Sequence, residues 1–449
     1  MDHASGSEAG LPPYDTADPA LHGLSSSALD ALQDARLKRM VGHVHGRSAF
    51  WRAKLADAGV APGAFAGLSD LSRLPFCTKA ELQADQATHA PFGSYACSPR
   101  NEWTRFFSTS GTTGDPLLRV FSERDWRMVL GRFARTGAWR SADVVFLTGP
   151  SDGLMGPSAT VEAARAAGAL VVQAGLWRTS RKVAALRRLR PNVVSGTASY
   201  LVHLLEAARA EGVDPGRLGI ERLSCVGEPG AAVEGTRDIL MRGYGVDRIS
   251  DGYGLTELFP LGGSCPFSTD LHLSEDMGLV ECLEPGGDRP VVEGSPGELV
   301  FTNLVGDTQP VLRYRSGDIA ALGPRTACAC GHTHRRIKRI SGRADDMIWF
   351  RGVNLFPSAI EALVRGFPEL SPEYQIRLDE QNGLSTITVV IEAAANEGSL
   401  APRVASRIKD GTGVSPTVEV VSVGTLPRSP DGGKSKRVVD LRRDRRNSA

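Results

Sequence analysis

Asn192-Val193-Val194-Ser195, the run Ser199 to Glu211, and Arg222-Leu223-Ser224-Cys225-Val226 decide the fold. The first and third are short apolar runs of the kind that form buried strands, and the second has the spacing of an amphipathic helix. Working outward, Arg181 to Leu189 and Ala232 to Gly243 read as two more helices. Val144-Val145-Phe146-Leu147 and Ala169-Leu170-Val171-Val172 read as two more buried strands. Strands alternating with helices predict an α/β layer architecture with a largely parallel sheet.

Farther out the pattern changes on both sides. Ser25 to about Gly59 has helical spacing through Leu29, Leu32, Leu37, Met40 and Val41, and a short helix is predicted over Lys79 to Asp85. Residues 1–20 begin polar and rich in Gly, Ser and Pro, and are expected to be a disordered tail. After about Glu257 short strands and turns take over, as in Gly297-Glu298-Leu299-Val300-Phe301-Thr302. The last hundred residues read as a small α+β unit. Its predicted elements are a helix over Phe356 to Phe367, a strand over Leu384 to Glu392, a helix over Pro402 to Asp410 and a strand over Thr417 to Val423.

At 449 residues the chain can build two or three domains, and 41% hydrophobic with 23% charged residues is ordinary for a globular protein. A formal net charge of +1 gives no global field towards nucleic acid or a membrane surface, so neither is expected as a partner. No apolar stretch approaches the roughly 20 residues of a membrane helix, and the start lacks the apolar core of a secretory signal. Seven cysteines without regular spacing do not form a disulfide framework, so a cytoplasmic protein with reduced thiols is expected. The oligomeric state stays open, a homodimer included.

Ser108-Thr109-Ser110-Gly111-Thr112-Thr113-Gly114 packs hydroxyl donors and two glycines into a loop suited to wrap polyphosphate oxygens. No Gly-Lys-Ser/Thr closes it, so it is not the usual P-loop. Downstream, in order, stand Asp251-Gly252-Tyr253-Gly254-Leu255-Thr256-Glu257, Arg313-Tyr314-Arg315-Ser316-Gly317-Asp318 and Gly342-Arg343-Ala344-Asp345-Asp346. Arg351-Gly352-Val353-Asn354-Leu355-Phe356-Pro357 and Leu426-Pro427-Arg428-Ser429-Pro430-Asp431-Gly432-Gly433-Lys434 follow. In this order, over roughly residues 25–441, they resemble the adenylate-forming superfamily and its phenylacetate–coenzyme A ligase-like branch. The resemblance implies a large N-terminal adenylation domain over 21–344, with mixed and parallel sheets and helices. It also implies a small mobile α+β C-terminal domain over 345–449, with Asp345 as the hinge.

By that resemblance, Thr109, Ser110, Gly111, Thr112, Thr113 and Gly114 close over the β- and γ-phosphates of ATP. Thr256 holds the α-phosphate and Glu257 holds magnesium, which together offset charge developing at phosphorus. Glu228 borders the adenine, Asp251, Tyr253 and Gly254 line the nucleotide site, and Tyr253 packs against adenine or the acyl group. Asp318 grips both ribose hydroxyls, and Arg343 reaches the ribose or phosphate region. Lys434 contacts the carboxylate and α-phosphate during adenylation, with Lys436 as the competing register. The expected reaction joins a carboxylic acid and ATP as acyl-adenylate, then passes the acyl group to coenzyme A. The acid is expected to be aromatic, and Asp152 in the segment 147–154 suggests an amino or hydroxy substituent unless it merely caps a helix. Transfer to an amine, nitrite or a carrier protein is the alternative, and a weakly catalytic nucleotide-binding protein is another. Asp115 motivates the second, standing where the family usually has lysine.

Cys328-Ala329-Cys330-Gly331 and the upstream Cys265 and His272 match a turn that in the branch holds structural zinc, a Cys3His set. His332 and His334 are competing ligands. Cys77, Cys97, Cys225 and Cys282 read as ordinary core thiols.

Overall fold

The computed structural model describes residues 16–109, 116–228, 231, 233–344, 347–350, 353–381, 384–394, 398–427 and 437–442. Ser25 caps α1 (Ser26–Arg47), and Ser48 ends it while its hydroxyl accepts the Trp51 N–H to start α2 (Ala49–Asp57). One serine thus divides what the spacing predicts as a single helical stretch. A capping box of Thr78 and Glu81 opens α3 (Lys79–Thr88). The chain is fixed earlier than expected of a tail over 1–20, because buried Thr16 donates its hydroxyl hydrogen bond to Met128 O at 2.8 Å.

An antiparallel hairpin, β1 (Trp103–Ser108) and β2 (Leu118–Ser122), brackets the phosphate-type loop. The helix-and-strand alternation then runs α4 (Glu123–Thr136), β3 (Val144–Leu147), α5 (Met155–Ala166), β4 (Leu170–Gln173), α6 (Thr179–Leu189) and β5 (Val193–Gly196). It continues as α7 (Ala198–Ala210), β6 (Arg222–Val226), α8 (Glu234–Tyr244) and β7 (Ile249–Gly254), and β3 to β7 pair in parallel. Phe146, Val194, Leu201, Leu223 and Leu240 are fully buried between this sheet and its helices. Ala169–Val172 departs from its expected burial. The strand forms, but at the sheet edge, where Leu170 is 62% exposed.

Six antiparallel strands extend the same sheet. They are β8 (Pro260–Cys265), β9 (Ser268–Leu273), β10 (Gly278–Leu283), β11 (Pro296–Asn303), β12 (Tyr314–Leu322) and β13 (Arg336–Arg343). The eleven strands lie in the order β4-β3-β5-β6-β7-β8-β9-β13-β12-β11-β10. Beyond it come a small ribbon, β14 (Ile348–Phe350) with β15 (Val353–Leu355), and α9 (Pro357–Val364). The C-terminal sheet has the order β18-β17-β16-β19, from β16 (Leu370–Gln381), β17 (Leu384–Ala393), β18 (Thr417–Ser422) and β19 (Val438–Asp440). With α10 (Leu400–Thr412) it encloses a separate core containing Ile360, Ile376, Val389 and Val404. The fold is α/β, a large N-terminal domain of mixed sheet and helices with a small α+β C-terminal domain. The expected hinge Asp345 lies outside the described residues. Among the described residues no helix is long and apolar enough to cross a membrane.

Candidate active site

Parallel strands present their carboxyl ends to one edge of a sheet, the usual place for a ligand in open α/β folds. Here the ends of β6 and β7 bring Glu228, Asp251, Tyr253 and Gly254 together. A Glu228 carboxylate oxygen accepts the Ser199 N–H in the first turn of α7. Burial pushes the Glu228 carboxyl up against that N–H, and charges on Glu361 and Arg437 act on it in opposite senses. Asp251 is also buried, which with Glu228 nearby and against the Gly252 N–H pushes its carboxyl up to about 7. Gly254 is fixed by space: a Cβ there would lie 2.7 Å from Pro260 Cα.

Thr256 and Glu257 occupy the turn between β7 and β8, Thr256 half-buried and Glu257 buried. β12 carries Tyr314, Ser316 and Asp318 at two-residue spacing, all buried. Ser316 donates to Leu299 O at 2.6 Å and accepts the Asp318 N–H at 3.0 Å, which orients the aspartate around Gly317, whose φ is 75°. Asp318 is register partner of Arg343 on β13, with Oδ1 3.5 Å from the guanidinium. The Tyr253 hydroxyl donates to Asp318 Oδ2 at 2.7 Å, so its polar end is committed to this carboxylate. Tyr314 donates to Glu257 Oε1 at 2.9 Å. Tyr314 has no role in the reading of the sequence, although its spacing with Ser316 and Asp318 places it on their face.

Thr109 sits at the neck of the phosphate-type loop, where its hydroxyl accepts the Leu117 N–H at 3.0 Å and its N–H donates to Leu117 O at 3.0 Å. Ser110, Gly111, Thr112, Thr113, Gly114 and Asp115 lie outside the described residues, as do Lys434 and Lys436. The Ser108 N–H bonds Gly153 O at 2.9 Å, so the segment 147–154 abuts that neck. Asp152 is exposed and caps no helix: Leu154 is the N-cap of α5.

Glu257 fits a magnesium site. It is a buried hard oxygen ligand with one oxygen held by a tyrosine, and such metals take one or two carboxylates beside phosphate oxygens. Magnesium there would offset phosphate charge.

Cys265 on β8, His272 on β9 and Cys328 and Cys330 in the turn before β13 converge with their donor atoms within 4.8 Å of one another. Tetrahedral zinc with bonds of ~2.3 Å to sulfur and ~2.0 Å to nitrogen needs edges of about 3.8 Å between sulfurs and about 3.5 Å between sulfur and nitrogen. The Cys265–Cys328 sulfurs are 3.8 Å apart, and His272 Nε2 lies 3.4 Å from Cys265 Sγ and 3.6 Å from Cys330 Sγ. Burial and neighbouring Arg336 and His334 push the His272 imidazole down to about 4, which keeps it neutral, as a ligand must be. The His332 ring lies 4.6 Å from that of His272 and tilted to it, and His334 is turned to Leu21 O and Leu273 O, so neither joins the cluster. Cys77, Cys97 and Cys225 are buried, and burial raises the Cys97 thiol to about 12.

The eleven-stranded domain and the separate C-terminal α+β unit have the architecture of the AMP-forming ligases. Residues 352–442 match the AMP-binding enzyme C-terminal domain family. A phenylacetate–coenzyme A ligase of Thermus thermophilus is 36% identical over 451 residues, spanning 95% of this chain and 99% of that protein. The chain belongs to the phenylacetate–coenzyme A ligase family. A 2-hydroxyisobutyryl-CoA ligase in the postadenylation state superposes at TM-score 0.88, with 28% identity and coverage of 98% of this chain and 96% of that one. The same ligase in the thioesterification state, bound to an acyl-AMP and CoA, superposes at 0.71 with 28% identity, covering 98% of this chain and 97% of that one. The reaction is therefore acyl-adenylate formation from an acid and ATP, followed by transfer to coenzyme A.

Proposed function

We propose that the acid is an aryl acid of the phenylacetate type. The carrying observation is the 36% identity to a phenylacetate–coenzyme A ligase over almost the whole of both chains. An amino or hydroxy substituent on the ring draws no support from Asp152, whose exposed carboxylate is not held in a buried wall. A small hydroxy acid is the second reading, favoured by the 0.88 superposition on the 2-hydroxyisobutyryl-CoA ligase. Pyrophosphate exchange across phenylacetate, aminobenzoates, hydroxybenzoates and 2-hydroxyisobutyrate tests both readings, with the thioester then identified by mass. Exchange confined to aliphatic acids would overturn the aryl assignment.

In this reading Thr256 and Lys434 meet the α-phosphate, Glu257 the metal, and Asp318 the ribose. Asp251, Glu228, Tyr253 and Gly254 surround the adenine, and Ser110 to Gly114 with Thr109 close on the outer phosphates. Arg343 lies beside the ribose carboxylate, and Asp345 serves as the hinge between domains 21–344 and 345–449. The better fit to the postadenylation state supports an arrangement suited to the first half-reaction. Lys434→Ala is expected to slow adenylation by orders of magnitude and to spare thioester formation from supplied acyl-adenylate. The same loss in Lys436→Ala, with Lys434→Ala active, would move the role two residues on. The Cys3His cluster is read as structural zinc.

A further inference from the structure

Two hydrogen bonds cross the nucleotide site in opposite directions. Tyr253 of β7 donates to Asp318 of β12, and Tyr314 of β12 donates to Glu257 in the turn after β7. β7 and β12 are not neighbours in the sheet, since β8, β9 and β13 stand between them. The sheet therefore curls until these strands face each other, and two buried phenols brace it from both sides. Each phenol ends on a carboxylate, and the two carboxylates have different tasks.

Tyr314 is itself held hard. Cys77 bridges it, with the Cys77 N–H bonded to Arg313 O at 3.1 Å and the Arg315 N–H to Cys77 O at 2.8 Å. Arg313, in a left-handed conformation at φ 38°, forks onto both Glu281 oxygens and reaches Ser72 O and Leu74 O. The hydroxyl thus has a fixed position against which Glu257 can be set. A carboxylate with one oxygen held by a phenol keeps the second turned one way, the arrangement a metal ligand needs.

We propose that Tyr314 is a positioning residue for the metal carboxylate Glu257, and that Tyr253 is its counterpart for the ribose carboxylate Asp318. The proposal rests on the reading of Glu257 as the magnesium ligand. Removing one charge-assisted hydrogen bond at a ligand's partner weakens metal binding by about tenfold.

The test is Mn2+ affinity of the enzyme–ATP complex, followed by electron paramagnetic resonance, beside ATP affinity in EDTA by equilibrium dialysis. Tyr314→Phe is expected to weaken Mn2+ binding about tenfold and to leave metal-free ATP binding within twofold. Tyr253→Phe is expected to do the reverse. Equal effects of the two variants on both measurements would reduce the tyrosines to packing and overturn the proposal. Glu257→Gln separates the two layers: if it leaves Mn2+ affinity intact, the metal reading of Glu257 fails. If it weakens Mn2+ binding while Tyr314→Phe does not, the positioning role alone fails. Should Tyr314→Phe not fold, 3-fluorotyrosine at position 314, a stronger donor of nearly the same shape, is expected to shift Mn2+ affinity at least twofold and to leave metal-free ATP binding unchanged. No change would count against the proposal.

Discussion

The parallel and antiparallel halves of the eleven-stranded sheet both have apolar cores, and differ in the polar ties added to them. In β3, β5 and β6 the side chains Val145, Phe146, Val193, Val194 and Leu223 are wholly excluded from solvent, and the helices supply the other side of the core. Parallel strands buried on both faces need little else. The antiparallel half has an apolar core of its own, with Leu299, Phe301, Ala320 and Ile337 buried, and adds polar side chains that reach across strands and loops. Arg313 clamps Glu281, Arg315 clamps Glu298, and Arg325 ties Glu275 to Asp30 and Gln33 of α1. Bulges interrupt its register between Glu298 and Val300 and again between Ile319 and Ala320. Buried ion pairs of this kind contribute little net stability, because desolvation offsets their attraction, but they fix one arrangement among several. The candidate site lies along the seam, and both halves bring carboxylates to it: Glu228 and Asp251 from the parallel strand ends, Asp318 from β12, and Glu257 from the turn between β7 and β8.

Removing the metal clip is the strongest way to break this contrast. The purified protein is expected to carry about one zinc per chain, and Cys328→Ser or Cys330→Ser to lose it. A structural zinc contributes folding free energy directly, here on the order of 5 kcal/mol, so melting should fall by many degrees. The effect should reach ATP binding as well. Ser264, next to Cys265, accepts the Asp251 N–H at 2.8 Å, and the Cys328–Cys330 turn leads into the strand of Arg343. Protein prepared without chelator and free of zinc by metal analysis would remove the idea.

Leu223→Ala is the matching change in the parallel half. A fully buried leucine truncated in a well-packed core costs about 3 kcal/mol. The denaturation midpoint should fall, with zinc content at wild-type level. If the two variants lowered stability and metal content in parallel, the halves would be one cooperative unit and the contrast would fail.

The same division decides what could be read from residues. Runs such as Arg222–Val226 announce a strand because burial on both faces demands a continuous apolar stretch, and β6 has those bounds. β16 went unpredicted because its twelve residues, Leu370 to Gln381, mix Ser, Pro, Glu, Arg and Asp with the apolar positions. Motif order marks Asp318, Glu257 and Tyr253 as candidates, whereas it marks neither Tyr314 nor the pairing of each phenol with a carboxylate. A hydrogen bond between positions 57 residues apart leaves no local trace, since it depends on how the sheet curls. Leu170 shows the converse: an apolar run says strand, but not whether that strand ends the sheet.

The smallest expected effect concerns Asp115, which lies outside the described residues. The family usually has lysine at this position, and a carboxylate close to the γ-phosphate repels it. Two unit charges ~6 Å apart at an effective dielectric of about 20 interact by roughly 3 kcal/mol before screening. Screening reduces that to about 1 kcal/mol, a several-fold effect on binding. Asp115→Lys is therefore expected to lower the KM for ATP several-fold, with acid selectivity and melting temperature unchanged. That outcome would show ATP affinity tuned without a change in fold stability. An unchanged ATP dependence would mean that the side chain faces solvent. Loss of activity would mean that Asp115 acts for the reaction, as an oxygen ligand on the metal bound to ATP would.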